Sequence, residues 1–194
     1  MNFAGLLLAA GASSRMGQPK ALLPFRNEAF LDRLIGLFAE QCSEVIVVVR
    51  PGLDLSSLKR RARFVTNEDP ERGMLSSLQC GLAVVSKAAE AILFCPVDYA
   101  AVEADSIRRI IEGFNGVLTL PVYEGSRGHP CLISRALADE LMSLPLTASA
   151  KEVIHSHLGE ANLIAVPDKR TVEDIDDPEA YRQLLEEEAA NVKN

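Results

Sequence analysis

The chain has 194 residues, of which 48% are hydrophobic, and its 20 basic and 27 acidic residues give a formal net charge of −7. This composition excludes a disordered chain, and the chain is long enough to bury one sizeable core. We therefore expect a single domain over residues 1–194. The acidic balance and the lack of a long basic stripe argue against nucleic acid as a partner.

The compartment is suggested by the N-terminus and the cysteines. The N-terminus lacks the basic start and small-residue cleavage site of a signal peptide, and no apolar segment reaches the ~18 residues of a membrane helix. The four cysteines show no C-x-x-C spacing, which is typical of free thiols rather than a zinc site. We therefore expect a cytoplasmic protein with no membrane partner.

Strand and helix patterns alternate along the first part of the chain. Continuous apolar or β-branched runs predict strands over 3–8, 45–49, 63–66 and 91–97. Apolar residues at helical spacing predict helices over 29–40, 74–85 and 104–113, with a weaker helical pattern over 53–61.

The pattern changes after a predicted strand over 117–122. A turn-rich loop at 123–128 and a strand over 130–133 indicate an antiparallel pair inserted in a parallel sheet. Helices over 136–144, 150–157 and 178–188 and a strand over 163–166 are predicted to follow. The whole pattern predicts an α/β, three-layer fold with a mostly parallel, doubly wound, Rossmann-like sheet and a small antiparallel insertion.

Ligands of such folds bind beyond the carboxyl ends of the strands. We therefore expect five loops that follow predicted strands to line the site: 9–20, 67–77, 98–103, 123–130 and 167–177.

The first of these loops is rich in glycine and serine. Residues 9–20 read A-A-G-A-S-S-R-M-G-Q-P-K, and the N–H groups of such a loop, together with Arg15 and Lys20, suit a polyphosphate. The loop is not a P-loop, because five residues separate Gly11 from Gly17 and Lys20 comes three residues later. An ordinary strand-to-helix turn with surface charges is the alternative.

Two acidic segments are candidates for a divalent cation. Asp98 follows the predicted strand 91–97, and Asp174 and Asp176 lie two apart in an extended segment, so both should face the same side. A magnesium site could combine Asp98 with Asp176, which we favour over Asp174, and with phosphate oxygens. Helix capping by these residues is the alternative.

Two further polar motifs fall in the expected loops. Gly73 permits a turn, and Ser76 and Ser77 bring hydroxyls to a helix start that could contact the edge of a flat base, although plain capping explains them as well. In Arg127-Gly128-His129-Pro130, His129 could hydrogen-bond an anionic group, or the motif could be a turn that leaves it a bystander.

Taken together, the motifs resemble the nucleotidyltransferases related to molybdenum cofactor cytidylyltransferase and guanylyltransferase, over most of the chain. The matching segments are L-A-A-G-x-S-x-R-M-G-x-P-K, G-M-x-S-S-L, R-G-H-P, D-x-D-x-P-E and the acid that ends a strand. The chain departs from the family pattern at Tyr99-Ala100, where Gln or Met followed by Pro is usual.

The resemblance implies a role for each matching position. Arg15, Lys20 and Asp98 are the implied catalytic residues, Arg127 and His129 face the acceptor, and Mg²⁺ is held by Asp98 with Asp176 or Asp174. The implied nucleotide-binding residues are Ala9, Ala10, Gly11, Ser14, Arg15, Lys20, Gly73, Ser76 and Ser77.

The implied reaction joins CMP from CTP to the terminal phosphate of molybdopterin and releases pyrophosphate. We favour CTP over GTP because the cytidine enzymes tend to carry L-A-A-G, and because the methyl of Ala10 would crowd a purine more than a pyrimidine. The alternatives are a transferase that uses GTP or a sugar phosphate, and a non-catalytic nucleotide or cofactor carrier, which Tyr99-Ala100 supports. A molybdoenzyme target is a further partner that the resemblance allows.

Overall fold

A computed structural model describes residues 1–145 and 147–191. Its strands are β1 (Phe3–Ala9), β2 (Pro24–Phe25), β3 (Glu28–Ala29), β4 (Glu44–Val49), β5 (Arg63–Thr66), β6 (Ala91–Pro96), β7 (Leu118–Tyr123), β8 (Ser126–Arg127), β9 (Cys131–Ser134) and β10 (Asn162–Ala165). Its α-helices are α1 (Phe30–Ala39), α2 (Met74–Leu82), α3 (Ala104–Glu112), α4 (Arg135–Ser143), α5 (Ala150–Ser156) and α6 (Pro178–Asn191).

Eight of the strands form one mixed sheet in the order β10-β7-β9-β6-β1-β4-β5, with β8 paired to β7. The pairs β6–β1, β1–β4, β4–β5 and β10–β7 are parallel, whereas β9 is antiparallel to both of its neighbours. The predicted sheet, mostly parallel with a small antiparallel insertion, is confirmed. β2 and β3 form a separate two-stranded hairpin.

Alternate residues of the central strands face two separate cores, because successive side chains of a strand point to opposite faces. Leu7 packs in a cluster with Leu34 of α1, and Leu6 packs in a second cluster with Leu78 of α2; all four side chains are fully buried. The predicted three layers are therefore present. Because the helices cover the two faces of the sheet, the loops at the carboxyl edge of β6, β1 and β4 are available to form a binding site.

The predicted helix over 53–61 is wrong. Pro51 and Gly52 form a turn, and the segment that follows is irregular. The buried carboxylate of Asp32 accepts hydrogen bonds from the backbone N–H groups of Lys59 and Arg60, at 3.0 and 2.9 Å. Because a distant side chain satisfies these donors, the segment does not need helical hydrogen bonds.

Two observations bear on the expected compartment. Within the described ranges, no helix combines the length and the apolar character that crossing a bilayer needs. Cys42, Cys80, Cys95 and Cys131 are all free thiols.

Candidate active site

The loop after β1 folds back on itself around Ser13. This residue has a φ of 52°, in the left-handed region that side chains other than glycine seldom adopt. Its carbonyl accepts hydrogen bonds from the N–H groups of Met16 and Gly17, both at 3.1 Å, and its hydroxyl accepts one from the N–H of Lys20 at 3.2 Å. The turn therefore sets where Lys20 enters the site.

A cleft of about 690 Å³ lies over the carboxyl edge of β6, β1 and β4. Its walls are residues 8–14, 17–21, 50–53 and 96–98, with Pro70, Gly73, Met74 and Ser77. The predicted nucleotide-binding residues that line it are Ala9, Ala10, Gly11, Ser14, Lys20, Gly73 and Ser77. Arg15 and Ser76 are not among the described residues that line this cleft, and neither are the predicted loops 123–130 and 167–177.

The two serines of α2 are occupied by hydrogen bonds within the protein. The side-chain amide of Asn67 donates to the hydroxyls of Ser76 and Ser77, at 2.9 and 3.1 Å, and the Ser76 hydroxyl lies 3.0 Å from the carbonyl of Gly73. These bonds fix the wall of the cleft. The Ala10 methyl, in a residue only 2% exposed, packs in the α2-side core and offers little surface to a base.

The two predicted acidic segments meet at Asp98, which lines one end of the cleft. Carboxylate oxygens of Asp98, Asp174 and Asp176 all lie within 4.8 Å of one another. The backbone N–H of Ile175 donates to the carbonyl of Asp98 at 2.9 Å, and the Ile175 side chain is buried. Because Ile175 points into the core, the aspartates on either side of it both face Asp98.

Lys20 and Arg15 partly offset the negative charge of this acidic cluster. The Lys20 ammonium is ion-paired with Asp176 and lies 3.7 Å from Asp98 Oδ2, and Arg15 pairs with Asp176 from the solvent side. The hydrogen bond from Lys20 holds the pKa of Asp176 below its usual range. Burial raises the pKa of Asp98.

The cluster can hold a divalent metal ion. Oδ1 of Asp98 is buried and, among the described residues, lacks a hydrogen-bond partner. Buried polar atoms normally have partners, so an unpartnered oxygen in a carboxylate grouped with two others fits the role of a metal ligand. Three carboxylates form the oxygen donor set that hard cations such as Mg²⁺ and Mn²⁺ prefer.

The R-G-H-P motif packs against the segment that carries two of these aspartates. A Cβ on Gly128 would lie 1.8 Å from the carbonyl oxygen of Thr171, so only glycine fits there. The next N–H, that of His129, donates to the same oxygen at 2.8 Å. The motif thus holds the chain that runs on to Asp174 and Asp176, a role that its sequence did not reveal.

The His129 ring lies among apolar and aromatic groups. Its centroid is 5.7 Å from that of Phe94 and 4.7 Å from that of Tyr99, and its Nδ1 is 3.3 Å from Sγ of Cys131. Burial lowers the pKa of His129 to about 4, so the ring is neutral near pH 7. The neutral His129 ring can therefore donate a hydrogen bond to the acceptor substrate, but it brings no positive charge. Arg127, also predicted to face the acceptor, is exposed on β8.

Sequence reasoning missed the wall formed by residues 50–53. The guanidinium of Arg50 lies 3.6 Å from the carboxylate of Glu71, which lies in the loop after β5 between the wall residues Pro70 and Gly73. Arg50 directly follows β4, which is parallel to β1. The rule that places ligands at the carboxyl ends of parallel strands could have found it.

The sequence profile described as the MobA-like NTP transferase domain matches residues 5–161. The chain belongs to this family. Among curated relatives, it is 26% identical to the molybdenum cofactor cytidylyltransferase of Escherichia coli (strain K12), over 91% of this chain and 92% of the relative. It is also 26% identical to a probable molybdenum cofactor guanylyltransferase of Mycobacterium avium (strain 104), over 97% of this chain and 98% of the relative.

Solved structures agree with this assignment. Crystal structures of Rv0371c from Mycobacterium tuberculosis H37Rv, one of them in complex with manganese, superpose with TM-scores of 0.82 and 0.79 at 28% and 27% identity. Each alignment covers 96% of this chain and 98% of the other. Family, fold and site together identify the chain as a MobA-like nucleotidyltransferase.

Proposed function

We propose that this chain transfers CMP from CTP to the terminal phosphate of molybdopterin, with Mg²⁺ as cofactor and pyrophosphate as the second product. The observation that carries the proposal is a cleft lined by most of the loop 9–20 and by Asp98, whose carboxylate also belongs to the cluster with Asp174 and Asp176. Phosphoryl-type transfer depends on positioning and charge neutralisation, and this cleft offers both.

In this proposal the carboxylates of the site bind the metal ion, and the cations bind the phosphates. Asp98, Asp176 and Asp174 would hold Mg²⁺, which when bound supplies positive charge at the α-phosphate. Lys20 and the N–H groups of the loop would bind the β- and γ-phosphates and stabilise the pyrophosphate as it leaves. Arg15 is 69% exposed and pairs with Asp176, so it can turn toward the triphosphate at little cost.

The acceptor would attack directly and in line. Among the described residues, the close Cys–His contact near the site joins Cys131 and His129. Burial raises the pKa of the thiol and lowers that of the imidazole. Both groups are therefore neutral, and a neutral buried thiol is a poor nucleophile. Direct attack by the acceptor phosphate, with Arg127 and His129 beside it, needs no covalent enzyme intermediate.

CTP is the proposed nucleotide, and GTP is the second candidate. The A-A-G sequence at residues 9–11 and the relative named a cytidylyltransferase support CTP. The relative named a probable guanylyltransferase is equally similar, which supports GTP.

The test is pyrophosphate release with CTP or GTP, molybdopterin and Mg²⁺, with the product identified by mass spectrometry. A cytosine dinucleotide of molybdopterin is expected. Turnover with a sugar phosphate instead would reassign the acceptor, and a preference for GTP would reassign the nucleotide. Tight CTP binding without pyrophosphate would favour a carrier that delivers cofactor to a molybdoenzyme.

We also propose that residues 1–194 act as a single domain in the cytoplasm. The four free thiols support a reducing compartment.

A further inference from the structure

The nucleotide cleft has two chemically different ends. It runs from Asp98, which follows β6, across the loop after β1, to residues 50–53 after β4. Lys20 and the acidic cluster occupy the β6 end, where the phosphates would bind. The nucleoside must then lie toward the β4 end, between residues 50–53 and the start of α2.

Few charged side chains line the cleft. Lys20, Arg50 and Asp98 are the charged residues among the described ones that line the cleft, and the other two belong to the phosphate end. The Ser77 hydroxyl accepts a hydrogen bond from the side-chain amide of Asn67 and carries no charge. Met74, which is 48% exposed, contributes an apolar surface on which a base can pack. Among the charged residues of the wall, Arg50 is thus the one placed to donate hydrogen bonds to a base.

Arg50 is held only weakly in its present position. Its ion pair with Glu71 spans 3.6 Å, and the two side chains are 35% and 73% exposed. Exposed pairs of this kind contribute little free energy, so the guanidinium can leave Glu71 for a ligand inside the cleft. A guanidinium donates several hydrogen bonds in a planar fork and accepts none.

We propose that Arg50 contacts the Watson–Crick edge of the base and makes this chain prefer CTP to UTP, an inference that rests on the proposed function. Cytosine presents O2 and N3 side by side, and both are acceptors that match the fork. Uracil also presents O2, but its N3 carries a proton, so one guanidinium N–H would face another donor. Sites built to satisfy a hydrogen-bond pattern discriminate strongly against a base that breaks it.

The test compares kcat/KM for CTP and UTP in the wild type and in Arg50→Ala, with the same acceptor and Mg²⁺. Arg50→Ala should lower kcat/KM for CTP by roughly 10- to 100-fold, the effect of losing a bidentate base contact, and change that for UTP little. Arg72→Ala is the matched control, because Arg72 pairs with Asp69 at 2.6 Å and is absent from the cleft wall. Glu71→Gln releases Arg50 and should keep the preference for CTP.

Three results would overturn the proposal. Equal losses for CTP and UTP would make Arg50 a phosphate contact, and wild-type kcat/KM for both nucleotides in Arg50→Ala would leave it no part in nucleotide binding. A wild-type enzyme that uses only GTP would remove the pyrimidine altogether. Calorimetric binding of CTP and UTP, without acceptor, keeps the test separate from the proposed transfer. If no nucleotide turns over, the transfer proposal fails. The Arg50 proposal then still requires that the wild type bind CTP more tightly than UTP and that Arg50→Ala abolish this difference.

Discussion

Gly128→Ala should disable the metal site from a distance. The added methyl would lie 1.8 Å from the carbonyl oxygen of Thr171, whereas real Cβ atoms essentially never approach closer than 3.0 Å. The gap between the R-G-H-P turn and Thr171 must therefore open by at least about 1.2 Å. That movement also lengthens the 2.8 Å hydrogen bond from His129 N–H to the same oxygen.

The displaced chain leads within a few residues to Asp174 and Asp176. Misplacing a catalytic group by about 1 Å can cost on the order of 100-fold in rate, so we expect turnover of Gly128→Ala to fall by about that factor. The affinity for Mn²⁺, measured by electron paramagnetic resonance with free protein in excess, should fall with it. The free energy of unfolding should fall by a smaller factor than the roughly 100-fold loss of turnover implies, because Ile175 is, among the described residues, the one core residue of the displaced segment and the strands of the central sheet keep their packing.

Gly159→Ala is the matched control. A Cβ there would meet no atom within 4 Å, so turnover and Mn²⁺ affinity should stay at the wild-type values. If folded Gly128→Ala retained metal affinity and turnover within about twofold of the control, the R-G-H-P turn would not position the aspartates, and the reasoning from this contact would be refuted.

Three other changes test the site. Lys20→Ala should lower pyrophosphate release by about 100-fold or more, as expected on removal of a preorganised stabiliser, and normal release would contradict the loop assignment. Asp98→Asn and Asp176→Asn should each abolish detectable Mg²⁺-dependent turnover, with a smaller loss for Asp174→Asn; a silent Asp176→Asn would reverse our choice between the two. The low pKa of His129, about 4 against an ordinary 6.5, means that the unfolded chain takes up the proton first, so stability falls as pH drops below 6.5. Chemical denaturation should show about 2 kcal/mol lost between pH 7 and pH 5, and His129→Phe should remove that part of the slope.

What the sequence could and could not predict follows the range of the interactions involved. The β-branched run before Arg50 and the two-residue spacing of Asp174 and Asp176 are local patterns, and the predicted strand and the shared face of the acids are both present. The predicted helix over 53–61 was wrong because Asp32, far away in the chain, binds its N–H groups. Likewise, the need for glycine at position 128 comes from a carbonyl at position 171, which no local pattern records.

The ammonium of Lys20 lies between two carboxylates, at the place where a divalent cation would bind. Without metal, the protein thus carries its own counter-ion, and an arriving cation must release the lysine. The released lysine is then free for the triphosphate. Metal and nucleotide should therefore bind cooperatively, and by thermodynamic reciprocity each should raise the affinity for the other by the same factor.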